Sequence, residues 1–196
     1  MSAIWKHFVT VCRHRWVVLR ECWACGIWWQ GLVHDLSKFS PAEFVVSARY
    51  FQGDRSPIEA EKAAKGYSDA WLHHKGRNKH HWEYWCDYNN DTGEVFPHKI
   101  PYRYVVEMVC DWVGAGMVYV GLRWTQDEPL RYYERVRGGR HFHPDTEDLI
   151  LIFLREIKAE GLEWFHRYAR DRTLKRSYER KRSWDRHIER GRKDNG

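Results

Sequence analysis

A chain of 196 residues with 43% hydrophobic side chains, 12 Trp, 11 Tyr and 12 His is long enough for one domain with a real core and too apolar to stay disordered. Its net charge of +6 is lopsided, because residues 166–196 carry twelve Lys/Arg against five Asp/Glu and the first 165 residues are close to neutral. Arg13, His14, Arg15 and Arg20 interrupt the first apolar stretch and Asp111 the second, so no spanning segment, secretion signal or membrane partner is expected, and the chain reads as cytoplasmic.

Apolar residues recur at helical spacing from residue 3 to about residue 25, and Gly26 stops the run. His7, Val11, His14 and Val18 share one side of that first helix, so His14 can face inward. Cys22-x-x-Cys25 has no second pair and no βαβ context. It reads as helix packing, and the five cysteines as reduced thiols. Residues 28–39 read as a second helix carrying His34-Asp35. Ser40-Pro41-Ala42-Glu43 then supplies an N-cap Ser, an N1 Pro and an N3 Glu for a third helix to about residue 51. Ser56-Pro57-x-Glu59 repeats the signal for a fourth, interrupted near Gly66 and reaching His73-His74.

Gly76 to Asn78 marks a bend before His80-His81-Trp82. The polar loop Asn89 to Gly93 belongs to a short hairpin or to irregular chain. Residues 105–122 form the most apolar segment, a buried helix in which Gly114 and Gly116 admit a close neighbour and Asp111 sits in the middle. Residues 125–137 and 144–158 read as two further helices, and from residue 161 a terminal helix turns aromatic and then basic. The expectation is an all-α single domain over residues 1–165 with a basic extension over 166–196.

Five ligand-type clusters fall on these helices or at their ends: His14, His34-Asp35, His73-His74, His80-His81 and Asp111. A site for one or two transition ions needs imidazole nitrogen and carboxylate oxygen converging from several elements, which this set can supply. A carboxylate buried without a metal or a cation is costly, so Asp111 needs either a metal or a partner such as Lys99 or Arg103. Each residue also has an ordinary reading. His7, His98, His141, His166 and His187 read as surface or loop residues, Trp82 to Trp85 as core, and Lys38 as a solvated helix end.

The segments His34-Asp35-Leu36-Ser37-Lys38-Phe39-Ser40-Pro41-x-Glu43-Phe44 and Arg77-Asn78-Lys79-His80-His81-Trp82-Glu83-Tyr84-Trp85 resemble an uncharacterised family of phage and bacterial proteins, over about residues 7–120. More distantly, the order of a lone His, then His-Asp with Lys three residues on, then later His clusters and a lone Asp resembles the HD-domain superfamily of metal-dependent phosphohydrolases. That resemblance implies a helical bundle in which His14, His34, Asp35 and Asp111 surround one ion, while Asp35 bridges to a second held by one His of each later pair. His74 and His81 are favoured, with His73 and His80 as the alternatives.

The implied cofactors are one or two divalent Mn, Fe, Co, Ni or Zn ions. The implied reaction is attack of a metal-bridging hydroxide on a nucleotide or another small phosphate ester. Asp35 and Lys38 would be catalytic, and Lys38, Lys75, Arg77 and Asn78 would hold the substrate. Two alternatives stand beside this reading. One is an HD-type di-iron oxygenase, and the other is a nucleic-acid-binding accessory protein with a structural metal and an active basic tail.

Overall fold

A computed structural model of the chain describes residues 2–53 and 55–175. The described residues form an all-α domain with one small hairpin. Helix α1 (Ala3–Ala24) starts at Ser2, whose side chain accepts the Trp5 amide, and it turns His7, Val11, His14, Val18 and Cys22 inward. Helix α2 (Trp28–Val33) folds back onto it. Gly31 permits that contact, since a Cβ there would stand 2.7 Å from Cys22 Cβ.

The expected second helix does not run on to residue 39. It ends at His34, Asp35 takes a left-handed conformation (φ 53°, ψ 25°), and a 3-10 turn follows (Leu36–Phe39). Adjacent residues of a helix point about 100° apart, so a continuous helix would separate the two side chains. The break lets both serve one centre. Arg15 closes the broken end, donating from Nε to the His34 carbonyl at 2.8 Å and from Nη2 to the Leu32 carbonyl at 2.9 Å.

Helix α3 (Pro41–Arg49) and helix α4 (Pro57–Lys65, stopped by Gly66 at φ 82°) lead to the short α5 (Asp69–Lys75). Beyond a 3-10 turn (Trp82–Trp85), strands β1 (Cys86–Tyr88) and β2 (Val95–Pro97) pair antiparallel, so the loop between them closes a hairpin. Helix α6 (Tyr102–Val120) is the axis of the fold. Val105, Val106, Val109, Cys110 and Val113 are fully buried on it, against Val18 and Cys22 of α1 and against Ile150, Phe153, Leu154 and Ile157 of α8 (Pro144–Glu160). Helix α7 (Glu128–Val136) and a helix over residues 162–175, α9, complete the packing with Tyr133, Phe165 and Ala169.

Gly114 brings α1 and α6 together, because a Cβ there would come within 2.7 Å of Val18 Cγ2. Among the described residues, Tyr102–Arg123 is long and apolar enough to cross a membrane, but half of it is buried in this core and it carries Asp111. The basic extension beyond residue 175 lies outside the described residues.

Candidate metal centre

The site forms where the inner side of α1, the break after α2, the end of α5 and the middle of α6 meet. Two sets of donor atoms share Asp35. The first comprises His14, His34, Asp35 and Asp111, with ligand atoms all within 4.8 Å of one another. His14 Nε2 is 3.0 Å from Asp111 Oδ1 and 3.6 Å from Asp35 Oδ2. His34 Nε2 is 3.3 Å from the same Asp35 oxygen, 3.5 Å from Asp111 Oδ1 and 3.4 Å from His14 Nε2. The second set comprises Asp35, His74, His80 and His81. There Asp35 Oδ1 lies 3.2 Å from His74 Nε2 and 3.5 Å from His80 Nε2.

These distances suit an ion. Nitrogen and oxygen atoms about 2.0–2.2 Å from a common centre stand roughly 3–3.5 Å from each other in tetrahedral or octahedral arrangements. Some of the atoms are also poorly served by the protein itself. Asp35 Oδ1, and Nε2 of His80 and His81, are buried without a hydrogen bond of regular geometry, while Asp35 Oδ2 has the Lys38 ammonium at 2.7 Å. Such orphaned groups are costly in the interior unless something else satisfies them.

Two buried glutamates orient the imidazoles from behind. With their protons on Nδ1, His34 and His80 both donate to Glu107 Oε1, each at 3.1 Å. His74 donates from Nδ1 to Glu43 Oε2 at 2.8 Å, while Asn78 Nδ2 reaches the His74 carbonyl at 2.8 Å and Ser37 Oγ at 2.9 Å. That tautomer turns the Nε2 lone pair toward Asp35, as a ligating histidine requires.

Burial opposes charge throughout the cluster, and the partners decide each case. Burial works against the Asp35 carboxylate, but His34, Lys38 and His74 hold its pKa well below the usual range. Asp111 is likewise held well below it, by hydrogen bonds from His14 and His34 and by their charges. Burial disfavours a proton on His34 as well, yet Asp35, Asp111 and Glu107 lift its pKa well above the ordinary imidazole value. His81 goes the other way: burial and its neighbours His80 and His74 keep it neutral. Lys38 Nζ stands 2.7 Å from Asp35 Oδ2, and Asp35 and Asp111 outweigh burial to raise its pKa.

A cavity of about 540 Å³ opens over Asp35, His74, His80, His81 and Asp111. Its wall is mixed in charge, with the cations Lys38, Arg55, Lys62, Arg135 and Arg140 and the acids Glu43, Glu59, Glu83 and Glu128 beside the rings of Trp71, Trp112, Tyr119 and Tyr132. Arg140 is braced there by Tyr132 Oη at 3.0 Å and by the Trp112 ring, whose centroid is 4.8 Å from its Cζ.

A family model matches residues 3–156, a stretch that holds every member of both donor sets. The chain belongs to DUF5662, a family of unknown function. No curated protein and no solved structure matches the chain. The DUF5662 match runs from the start of α1 into α8 and leaves α9 and the basic extension outside.

Within this DUF5662 chain His14, His34, Asp35, His74, His81 and Asp111, the residues named by the HD-domain resemblance, lie close together, and Lys38 reaches Asp35. Of the alternatives, His80 joins His81 in the second set, whereas His73 turns away and donates to Glu43 Oε1 at 2.6 Å. Lys75 and Arg77 are not in the cavity wall, and Arg77 Nη1 caps the His73 carbonyl at 3.3 Å. Asn78 props His74 from behind instead of facing the cavity. His7, read as a surface residue, is buried in the cavity wall, and His166 pairs with Glu21 at 2.7 Å. His187 lies outside the described residues.

Lys99 and Arg103 do not serve Asp111, since Lys99 pairs with Asp145 and Arg103 stacks on Tyr104. Glu43 and Glu107 escape the sequence reading. Glu43 looks like the N3 member of a capping box, yet Ser40 makes no side-chain cap and the carboxylate points to His73 and His74. Glu107 carried a usable signal, because it lies four residues before Asp111 and so shares its side of α6.

Proposed function

We propose that this protein is a metal-dependent phosphohydrolase acting on a nucleotide or another small phosphate ester. The observation that carries the reading is Asp35, whose two buried oxygens each face a separate set of imidazoles. The order and spacing of these residues, similar to the HD-domain superfamily, point the same way. Divalent ions held by the two sets would lower the pKa of a coordinated water and polarise a phosphoryl oxygen.

The chain's own residues would do the rest. Lys38, partly exposed at the cavity and charged through its pairing with Asp35, is placed to hold a phosphoryl oxygen. Arg140, braced on Tyr132 and Trp112, offers a fixed fork for a further anionic group. Glu43 and Glu107 hold the imidazoles in one tautomer. The aromatic rings in the wall exclude water from part of the cavity and offer flat surfaces to a base or similar ring.

The test is metal analysis of protein purified without chelator or histidine tag, followed by phosphatase assays with Mn, Fe, Co, Ni and Zn. Two equivalents of metal per chain are expected, with hydrolysis of phosphomonoesters that falls by at least about a thousandfold in Asp35→Ala. Two equivalents of iron with a visible absorption band and no hydrolysis with any metal would move the assignment to oxygen chemistry. A chain that takes up no metal under any of these conditions would end the enzymatic reading and turn attention to nucleic-acid binding by the basic extension.

A further inference from the structure

The outer side of α1 is the reverse of its inner side. Trp5, Val9, Cys12, Trp16 and Trp23 recur at intervals of four, three, four and seven residues, which makes one stripe of a helix. They lie opposite the buried His7, Val11, His14, Val18 and Cys22. The three tryptophans of the stripe are 51%, 62% and 67% exposed. Helix α2 extends the apolar surface on one flank, adding Trp28, Trp29 and Leu32, each about half exposed. On the other flank stand Lys6, Arg13 and Arg20, all exposed and spaced by seven. Scattered exposed apolar residues are ordinary, but a contiguous aromatic face of this extent marks a contact surface.

The charges identify the partner. Between Ser2 and His34 the only acidic residue is Glu21, which is buried and held by His166. A two-fold pairing of this face with itself would bring Lys6, Arg13 and Arg20 against a surface offering them no exposed acid. Arg170 of α9 abuts Gly26, between α1 and α2. In sequence, residues 176–196, outside the described residues, carry eight Lys/Arg against four Asp/Glu. A partner must therefore be anionic and also accept indole rings and aliphatic side chains.

We propose that the α1–α2 face docks on an anionic phospholipid bilayer. The helix lies in the plane of the interface, with its tryptophans at headgroup depth and its cations among lipid phosphates. The expectation of no membrane partner rested on the lack of a spanning segment, and a helix lying in the interface needs none.

The experiment is co-sedimentation of the full chain with vesicles of phosphatidylcholine alone or mixed with phosphatidylglycerol, together with tryptophan emission. Binding at least about tenfold tighter to the anionic vesicles is expected, with a blue shift and weakening by salt. Trp16→Glu/Trp29→Glu should weaken it at least about tenfold, and Arg13→Glu/Arg20→Glu should remove the preference for anionic lipid. Val95→Glu, on the exposed hairpin, should change neither. Melting curves matching the unmodified chain would show that these surface variants fold. Absence of binding to either vesicle overturns the proposal, as does binding that survives Trp16→Glu/Trp29→Glu. If that double substitution instead dissolves a dimer, or abolishes single-stranded oligonucleotide binding, in a chain that ignores vesicles, the face belongs to a second copy or to nucleic acid.

Discussion

The two donor sets that share Asp35 are built on different foundations. The first hangs on long helices whose inner sides are packed: His14 from the middle of α1, Asp111 from the middle of α6, and His34 at a helix end clamped by Arg15. It holds two carboxylates and two imidazoles. The second hangs on the last turn of the seven-residue α5 and on irregular chain around residue 80, and its members besides Asp35 are all imidazoles. Rigidity and negative charge thus concentrate on one side. The first set should bind its ion more tightly and let it go last, while the second, with fewer charges and a softer frame, should exchange more readily and lose its ion first in mild acid, where imidazole ligands compete with protons.

The largest expected effect tests whether one residue truly joins the two. Asp35→Asn keeps the size of the side chain and tolerates the left-handed backbone, so the fold should survive while both ions and all hydrolysis are lost. Retention of one equivalent would mean that the sets are independent. Next, Asp111→Ala and His81→Ala should each remove about one equivalent, and residual affinity for the remaining ion should be higher in the His81 variant. The reverse order would break the comparison. Glu107→Gln should cost about 10–100-fold in metal affinity, the usual range for a group that orients ligands from behind, and elemental analysis at graded metal concentration reads it directly.

Stability carries two smaller predictions. Gly114→Ala should destabilise the fold by about 1–3 kcal/mol in urea melts, because a methyl group there meets Val18 Cγ2 where α1 crosses α6. His7 shares the inner side of α1 with His14 but lacks a carboxylate partner, and burial and the Lys38 charge lower its pKa to about 4. Its folded pKa is below its unfolded one, so its contribution is complete above about pH 6.5 and drains away as pH falls toward 4. His7→Leu should flatten that part of the stability profile, by up to about 3 kcal/mol.

The residues of the first donor set could be read from the chain because polar ligand types inside apolar helical runs are conspicuous. His14 follows from its stripe, Asp111 from its apolar surroundings, and His34-Asp35 from their adjacency. Helix phase also separates His74 from His73, since His74 shares a side with Ala70, which is 2% exposed. No phase rule applies to His80 and His81, which lie in irregular chain, and so both converging on Asp35 was not legible. The break after α2 was hidden for a related reason. Helical periodicity describes residues 28–39 well, and only the need for two neighbouring side chains to meet at one centre overrides it. Leu32, Val33 and Leu36, the apolar neighbours of His34-Asp35 in the chain, are exposed. The pair is buried by the other ligands.

Glu107 gives the centre a property that no single set possesses. One of its oxygens accepts a hydrogen bond from His34 on one side and from His80 on the other, at equal distance. Ordering either imidazole fixes that carboxylate, and the fixed carboxylate lowers the entropic cost of ordering the second. Occupancy at one end would thereby be linked to affinity at the other, and by reciprocity the linkage would be the same in both directions. Filling the first set should therefore raise the affinity of the second, and Glu107→Gln should remove that rise, as read by titrating metal into the chain with and without the first equivalent bound.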